Sequence, residues 1–194
     1  LHERRVMVPG VDTQRVVVEN LKPFDDLLER NSRRIALLEE SARLLFCEWF
    51  ERLRFPGHER VKVVDGIPKG WSKKSLSAIC DEIRVAVKPE KIAPGTPYVG
   101  LEHMPRRSIT LSDWGVSDDI VSQKFAYEKG DIIFGKIRPY FHKVGFALND
   151  GVASSDAIVI RPKVKALYFY LLMLLSSDRF VALASRTVKE GSKM

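Results

Sequence analysis

Three short stretches of this sequence put cationic or hydroxyl side chains where the chain should turn and expose them. Arg106-Arg107 follows Pro105, and Lys136, Arg138, His142 and Lys143 are interleaved with Tyr140 and Phe141 around Pro139. Ser154-Ser155-Asp156 follows Asn149-Asp150-Gly151, a cluster of turn-forming residues. Lysine and arginine on exposed loops can neutralise phosphates, and arginine or serine that reaches a groove edge can read bases. Arg106, Arg107, Lys136, Arg138 and Lys143, with Ser155, are the candidate contacts to a polyanion. The charge distribution points the same way. Of a formal net charge of +7, residues 1–60 carry none, holding 11 basic and 11 acidic side chains, and all of it lies in 61–194. A basic segment bears on solubility and partners, not on fold.

Catalysis has one constellation to offer. Nucleases pair acidic metal ligands with a lysine, and Glu128, Asp131 and Lys136 are such a set. A spacing of five puts Asp131 and Lys136 on opposite faces of a strand, so the pair could meet only across a bulge at Gly135. The chain has no phosphate-cradling glycine loop, nucleophile elbow, zinc-protease helix or metal-binding cysteine pair, and His2, His58, His103 and His142 are scattered. The expectation is a protein that binds without a reaction, metal or cofactor of its own. Cys47 and Cys80 lie in unrelated contexts and read as free thiols of a reducing cytoplasm. The longest apolar run, 166–175, falls short of the roughly 20 residues a bilayer span needs. The charged Leu1-His2-Glu3-Arg4-Arg5 leads into no signal core, so no membrane association is expected.

These loops need a scaffold, and the strongest periodic signal lies ahead of them. Val17, Leu21, Phe24, Leu28, Asn31, Ile35, Leu38, Ala42, Leu45 and Trp49 alternate in steps of four and three, an unbroken a/d heptad seam with one polar member. Asp12 or Thr13 is suited to cap the helix, Pro23 should kink its first turns, and Phe55-Pro56-Gly57 should end it. A helix of that span runs roughly 60 Å, too long for a domain of this size to bury, so the seam calls for a partner helix. Beyond it, Asp65-Gly66 marks a turn, 75–83 reads as a short helix and 88–97 as a loop. Strand-like runs follow at 98–101, 108–111, 131–137, 144–148 and 157–161, with helices at 166–175 and 179–185. The expected fold is α+β: residues 13–57 a long coiled-coil spacer helix, 58–194 a mixed domain with a twisted, mainly antiparallel sheet, and 1–12 a strand segment that completes such a domain.

Several stretches, in this order, resemble the DNA specificity subunits of type I restriction–modification systems. They are Ile67-Pro68-Lys69-Gly70-Trp71, Tyr98-Val99-Gly100-Leu101-Glu102, the run from Lys129-Gly130-Asp131 through Arg138-Pro139-Tyr140 to Lys143, Gly151-Val152-Ala153-Ser154-Ser155-Asp156 and Gly191-Ser192-Lys193-Met194. The helix from Asn31 and Ile35 through Leu38-Glu39 to Trp49-Phe50 and Arg54-Phe55-Pro56-Gly57 is similar to their spacer helix. The resemblance implies a non-catalytic subunit whose target recognition domains each read half of a bipartite double-stranded DNA site, held apart by antiparallel helices. It implies docking to methyltransferase subunits, which bind S-adenosylmethionine, and to restriction and motor subunits in the complete enzyme. It also adds Lys193 to the candidate DNA contacts.

The sequence departs from that family in holding one recognition domain and one spacer helix, about half a subunit. It resembles one repeat cut at a different point on a circle. Two copies would then dimerise through the Val17 to Trp49 seam and read a symmetric site. A coiled-coil adaptor with a basic domain that binds an acidic protein surface would use the same helix and charge.

Overall fold

A computed structural model describes residues 6–187, with the side chain of Asp119 excepted. The chain divides into two compact units between Glu40 and Ser41. Helix α1 spans Val11–Phe46. Its start differs from expectation: the Gly10 carbonyl accepts the Gln14 N–H at 3.0 Å, and Gln14 Nε2 adds a 2.8 Å bond to Pro9 O. Neither Asp12 nor Thr13 is therefore the cap, and the Asp12 carboxylate sits in the first turn, where the helix dipole favours it. The helix continues through Pro23, whose missing N–H removes a single i to i−4 bond. Within the first unit, Val17, Leu21, Phe24, Leu28, Ile35 and Leu38 are all exposed. Residues 1–5 of the expected strand segment lie outside the described residues, and 6–10 lead into α1 without regular structure.

In the second unit a π-helical turn, Cys47–Glu51, closes the helix ahead of Gly57, whose φ of 82° suits glycine. Trp49 sits on that wider turn, and Ala42 packs against the unit's own core. The helix end is fastened by rings: Phe50 meets Tyr170 at 4.8 Å, Phe46 meets Tyr170 at 5.7 Å, and Phe55 stacks on Trp71 at 4.9 Å.

Strands β1 (Val63–Val64) and β2 (Ile67–Pro68) form a hairpin over Asp65-Gly66. Both turn residues have positive φ, 50° and 72°, as a type I′ turn requires. Then come α2 (Leu76–Ile79), β3 (Cys80–Ile83), β4 (Ala86–Val87), β5 (Pro97–Val99), β6 (Gly115–Val116) and β7 (Lys124–Tyr127). β8 (Ile132–Gly135), β9 (Val144–Phe146), β10 (Gly151–Ala153), β11 (Ala157–Pro162), α3 (Tyr168–Ser176) and α4 (Asp178–Thr187) complete the unit. One sheet has the order β4-β7-β10-β5-β6 and the other β3-β11-β8-β9. Pairing is antiparallel except between β10 and β5, where Val152 lies opposite Tyr98. The fold is α+β, a long helix followed by mainly antiparallel sheets.

β8 explains the core. Its side chains alternate, so Ile132 and Phe134 join a cluster with Val144, Leu171, Leu172 and Leu175, while Ile133 joins Val99, Leu111, Ala153 and Val159. A strand covered on both faces reads as an uninterrupted apolar run, as Ile132-Ile133-Phe134 does. Each fully buried Ile, Leu or Val among them contributes about 2 kcal/mol. No single helix among the described residues is long and apolar enough to cross a membrane. Cys47 and Cys80 are free.

The expected helix at 75–83 stops after Ile79, because Cys80–Ile83 is drawn into a ladder with β11 that pairs Cys80 with Pro162 and Ile83 with Val159. The expected strand at 108–111 is reduced to an isolated bridge, Thr110 to Phe146.

Candidate nucleic-acid interface

The three stretches converge. Arg107 N–H donates to His142 O at 3.1 Å, Lys136 N–H donates to Asp156 O at 3.0 Å, and the Arg106 guanidinium lies over the Phe141 ring, 4.0 Å from its centre. Residues 105–107, 136–143 and 154–156 thus form one contiguous rim at the end of β8. Backbone strain gathers there too. Arg107, Arg138 and His142 have φ of 58°, 51° and 52°, left-handed values that cost a side-chain-bearing residue about 1 kcal/mol each. Such residues persist only where their surroundings over-determine them.

The surroundings here do so. His142 is buried, and its Nδ1 faces Ser176 O at 3.4 Å. Its Nε2 lies 3.2 Å from Arg107 Nη2. Asp178 closes the cluster, its Oδ1 lying 3.0 Å from Arg107 Nη2 and 3.2 Å from His142 Nε2. From the other side, the Arg43 guanidinium donates to Arg107 O. Asp178 is placed by the cap of α4, where Ser177 Oγ accepts the Phe180 N–H at 3.2 Å.

These bonds sort the candidate cations. Arg107 is committed to Asp178, and Lys143 is half-buried with its ammonium donating to Leu101 O. Arg106 and Arg138 are exposed, Lys136 is partly so, and among the described residues none of the three has an ion-pair partner. Tyr140 is exposed beside them, meeting Phe141 edge-on at 4.7 Å. Ser155 is exposed at the tip of the adjoining turn. Lys193 lies outside the described residues.

Asp131 does not point to a metal. It is 3% exposed and accepts from Arg161 Nε and Nη2 at 2.7 and 2.8 Å and from the Glu128 N–H at 2.8 Å. Lys136 lies beyond the opposite end of β8. In the other sheet, Lys124 on β7 is buried with Nζ 5.6 Å from the centre of the Tyr98 ring and 2.6 Å from Ser122 Oγ. Burial, with Glu102 nearby, pushes the Tyr98 hydroxyl up, so it stays a neutral phenol.

Sequence reasoning missed Asp178, Arg43 and the anchoring part of His142. Nothing linear links Asp178 to Arg107. The available signal was Ser177-Asp178 itself, a cap followed by an acid in the first turn of a helix.

No protein-family model matches the chain. It is 30% identical over 117 residues to the type I restriction enzyme EcoDI specificity subunit of Escherichia coli, a match covering 59% of this chain and 26% of that protein. Among solved structures it is similar to the HsdS subunit from Thermoanaerobacter tengcongensis, with a TM-score of 0.43 and 17% identity over 90% of this chain and 46% of that one. It is also similar to a chain from a structural study of complex assembly and conformational transition of the type I R-M system. There the TM-score is 0.48 and the identity 17%, over 94% of this chain and 44% of that one. The matches span less than half the length of each of these relatives.

Proposed function

We propose that this chain, a relative of a type I restriction enzyme specificity subunit, is a non-catalytic reader of double-stranded DNA that directs a methyltransferase to its site. The observation that carries the proposal is the rim itself: three sequence-distant loops converge, and on two of them Arg106, Lys136 and Arg138 have no ion-pair partner among the described residues. Such cations suit phosphate and groove contacts. On this reading S-adenosylmethionine belongs to the methyltransferase subunit, restriction and motor subunits join in the complete enzyme, and the assembly works in the cytoplasm. The exposed seam from Val17 to Leu38 supports helix-to-helix pairing with a second copy, which would present two readers to a two-fold symmetric site.

The test is a gel shift of the full 194-residue chain on duplex DNA at about 50 and 200 mM salt. Affinity should fall steeply, because each neutralised phosphate releases counterions. An adaptor for acidic proteins, which the exposed seam would also suit, gives no salt-sensitive DNA complex. Co-expression with the methyltransferase and mapping of modified adenines then reports the site, and a palindrome supports the symmetric pair.

A further inference from the structure

Arg106 and Arg107 are neighbours in sequence and opposites in environment. Arg107 is spent: its guanidinium faces Asp178 and His142, its N–H is bound by His142 O, and its carbonyl is bound by Arg43. That makes it a fixed post for the residue before it. On the other side, Pro105 has its φ locked by its ring, and Met104 is 2% exposed in the core. The backbone of Arg106 is thus held from both directions. Its side chain is exposed, has no ion-pair partner among the described residues, and lies over the Phe141 ring at 4.0 Å.

An arginine on an aromatic face keeps its plane fixed and its in-plane N–H groups free. A phosphate contact needs charge and tolerates a mobile side chain. A base contact needs a fork held at a set angle, and the commonest such contact is bidentate donation from arginine to guanine O6 and N7. Arg138 and Lys136 have charge without a platform, whereas Arg106 has both. Phe141 is itself pinned, because His142 follows it in the buried cluster and Phe141 N–H donates to Arg138 O at 3.0 Å.

We infer that Arg106, laid on the Phe141 ring, reads guanine in the target half-site, and that Phe141 is its positioning residue. The inference rests on the DNA-reading proposal above. It adds a base identity and assigns the two arginines different work.

Selection of duplexes from a randomised library by the full chain, followed by sequencing, tests it. Wild type, Arg106→Lys, Phe141→Leu and Phe141→Tyr are compared, each checked by thermal unfolding. Wild type should enrich a guanine at one position. Arg106→Lys keeps the charge and the exposed setting, so the salt slope should hold while preference at that position drops roughly 5- to 150-fold and the others stay. Phe141→Leu should do the same without altering any charge, and Phe141→Tyr, which keeps the ring, should restore it. An unchanged profile in Arg106→Lys overturns the inference and assigns Arg106 to a phosphate. Uniform loss in Phe141→Leu, with guanine still preferred, overturns the positioning role. If either Phe141 variant unfolds, Arg106→Lys alone decides the base contact. A wild-type chain that enriches nothing removes the underlying DNA-reading proposal, a result distinct from selection without guanine dependence.

Discussion

Arg161 lays its guanidinium along the Asp131 carboxylate, Nε to Oδ1 at 2.7 Å and Nη2 to Oδ2 at 2.8 Å, with Nη1 3.1 Å from Glu128. These hydrogen bonds, Asp131 first, hold the guanidinium pKa above its ordinary value and join β11 to the turn ahead of β8. The carboxylate that the sequence offers to a divalent metal is a staple between strands. Asp131→Asn should lower stability by about 2 kcal/mol, read by urea unfolding, since Arg161 keeps some solvent access and is not stranded outright. DNA affinity measured well below the melting temperature should not change. Metal-dependent DNA cleavage by wild type that the variant lacks would return Asp131 to a catalytic role.

Burial, with Asp150 nearby, pushes the Tyr127 hydroxyl up to about 12. The folded chain holds that proton more tightly than the unfolded chain, where a tyrosine titrates near 10. The contribution is therefore fully present below about pH 10 and is lost as pH rises through about 12. Tyr127→Phe, which gives up only a 3.3 Å bond to Asn149, should flatten the alkaline limb of the stability curve. Urea midpoints at several pH values above 9 (about one per half unit) check this. Equal alkaline loss in both proteins would assign it elsewhere.

Lys136→Ala and Arg138→Ala should each weaken binding to all duplexes alike and reduce the slope of log affinity against log salt by about 0.9 if each meets one phosphate. Arg107→Ala is expected to behave differently. Its guanidinium is paired with Asp178, so the variant should lose about 1 kcal/mol of stability with a smaller change in slope. Fluorescence-anisotropy titrations across a salt series separate the two classes.

Leu28 and Leu38 are 65% and 70% exposed on the seam. A lysine at either position should shift the chain to monomer in sedimentation velocity while the melting of the second unit stays the same. An unchanged mass in both variants would move the association, if any, off the seam.

Much of this was readable in the linear sequence, for identifiable reasons. The heptads of α1 repeat often enough to outweigh Pro23, Asp65-Gly66 admits essentially one hairpin turn, and β8 is apolar on both faces because both are covered. The three loops were marked by their charge and turn residues, but nothing linear says that they meet. Other features depended on partners far away in the chain. Cys80–Ile83 looks helical until β11 claims it. Gly151 looks like the end of a turn, yet it opens β10. A Cβ there would sit 2.4 Å from Pro97 O and 2.5 Å from the Tyr127 hydroxyl, so the glycine permits close approach of two neighbouring strands. The commitment of Arg107 to Asp178 has no local signature, which is why two adjacent arginines with unlike roles read as a matched pair.

The ring under Arg106 comes from a different loop, with β6, β7 and β8 encoded in between. A hybrid gene joined anywhere in that interval would take its guanidinium from one parent and its platform from the other. Exchanging recognition between relatives then requires the whole interval to travel as one cassette.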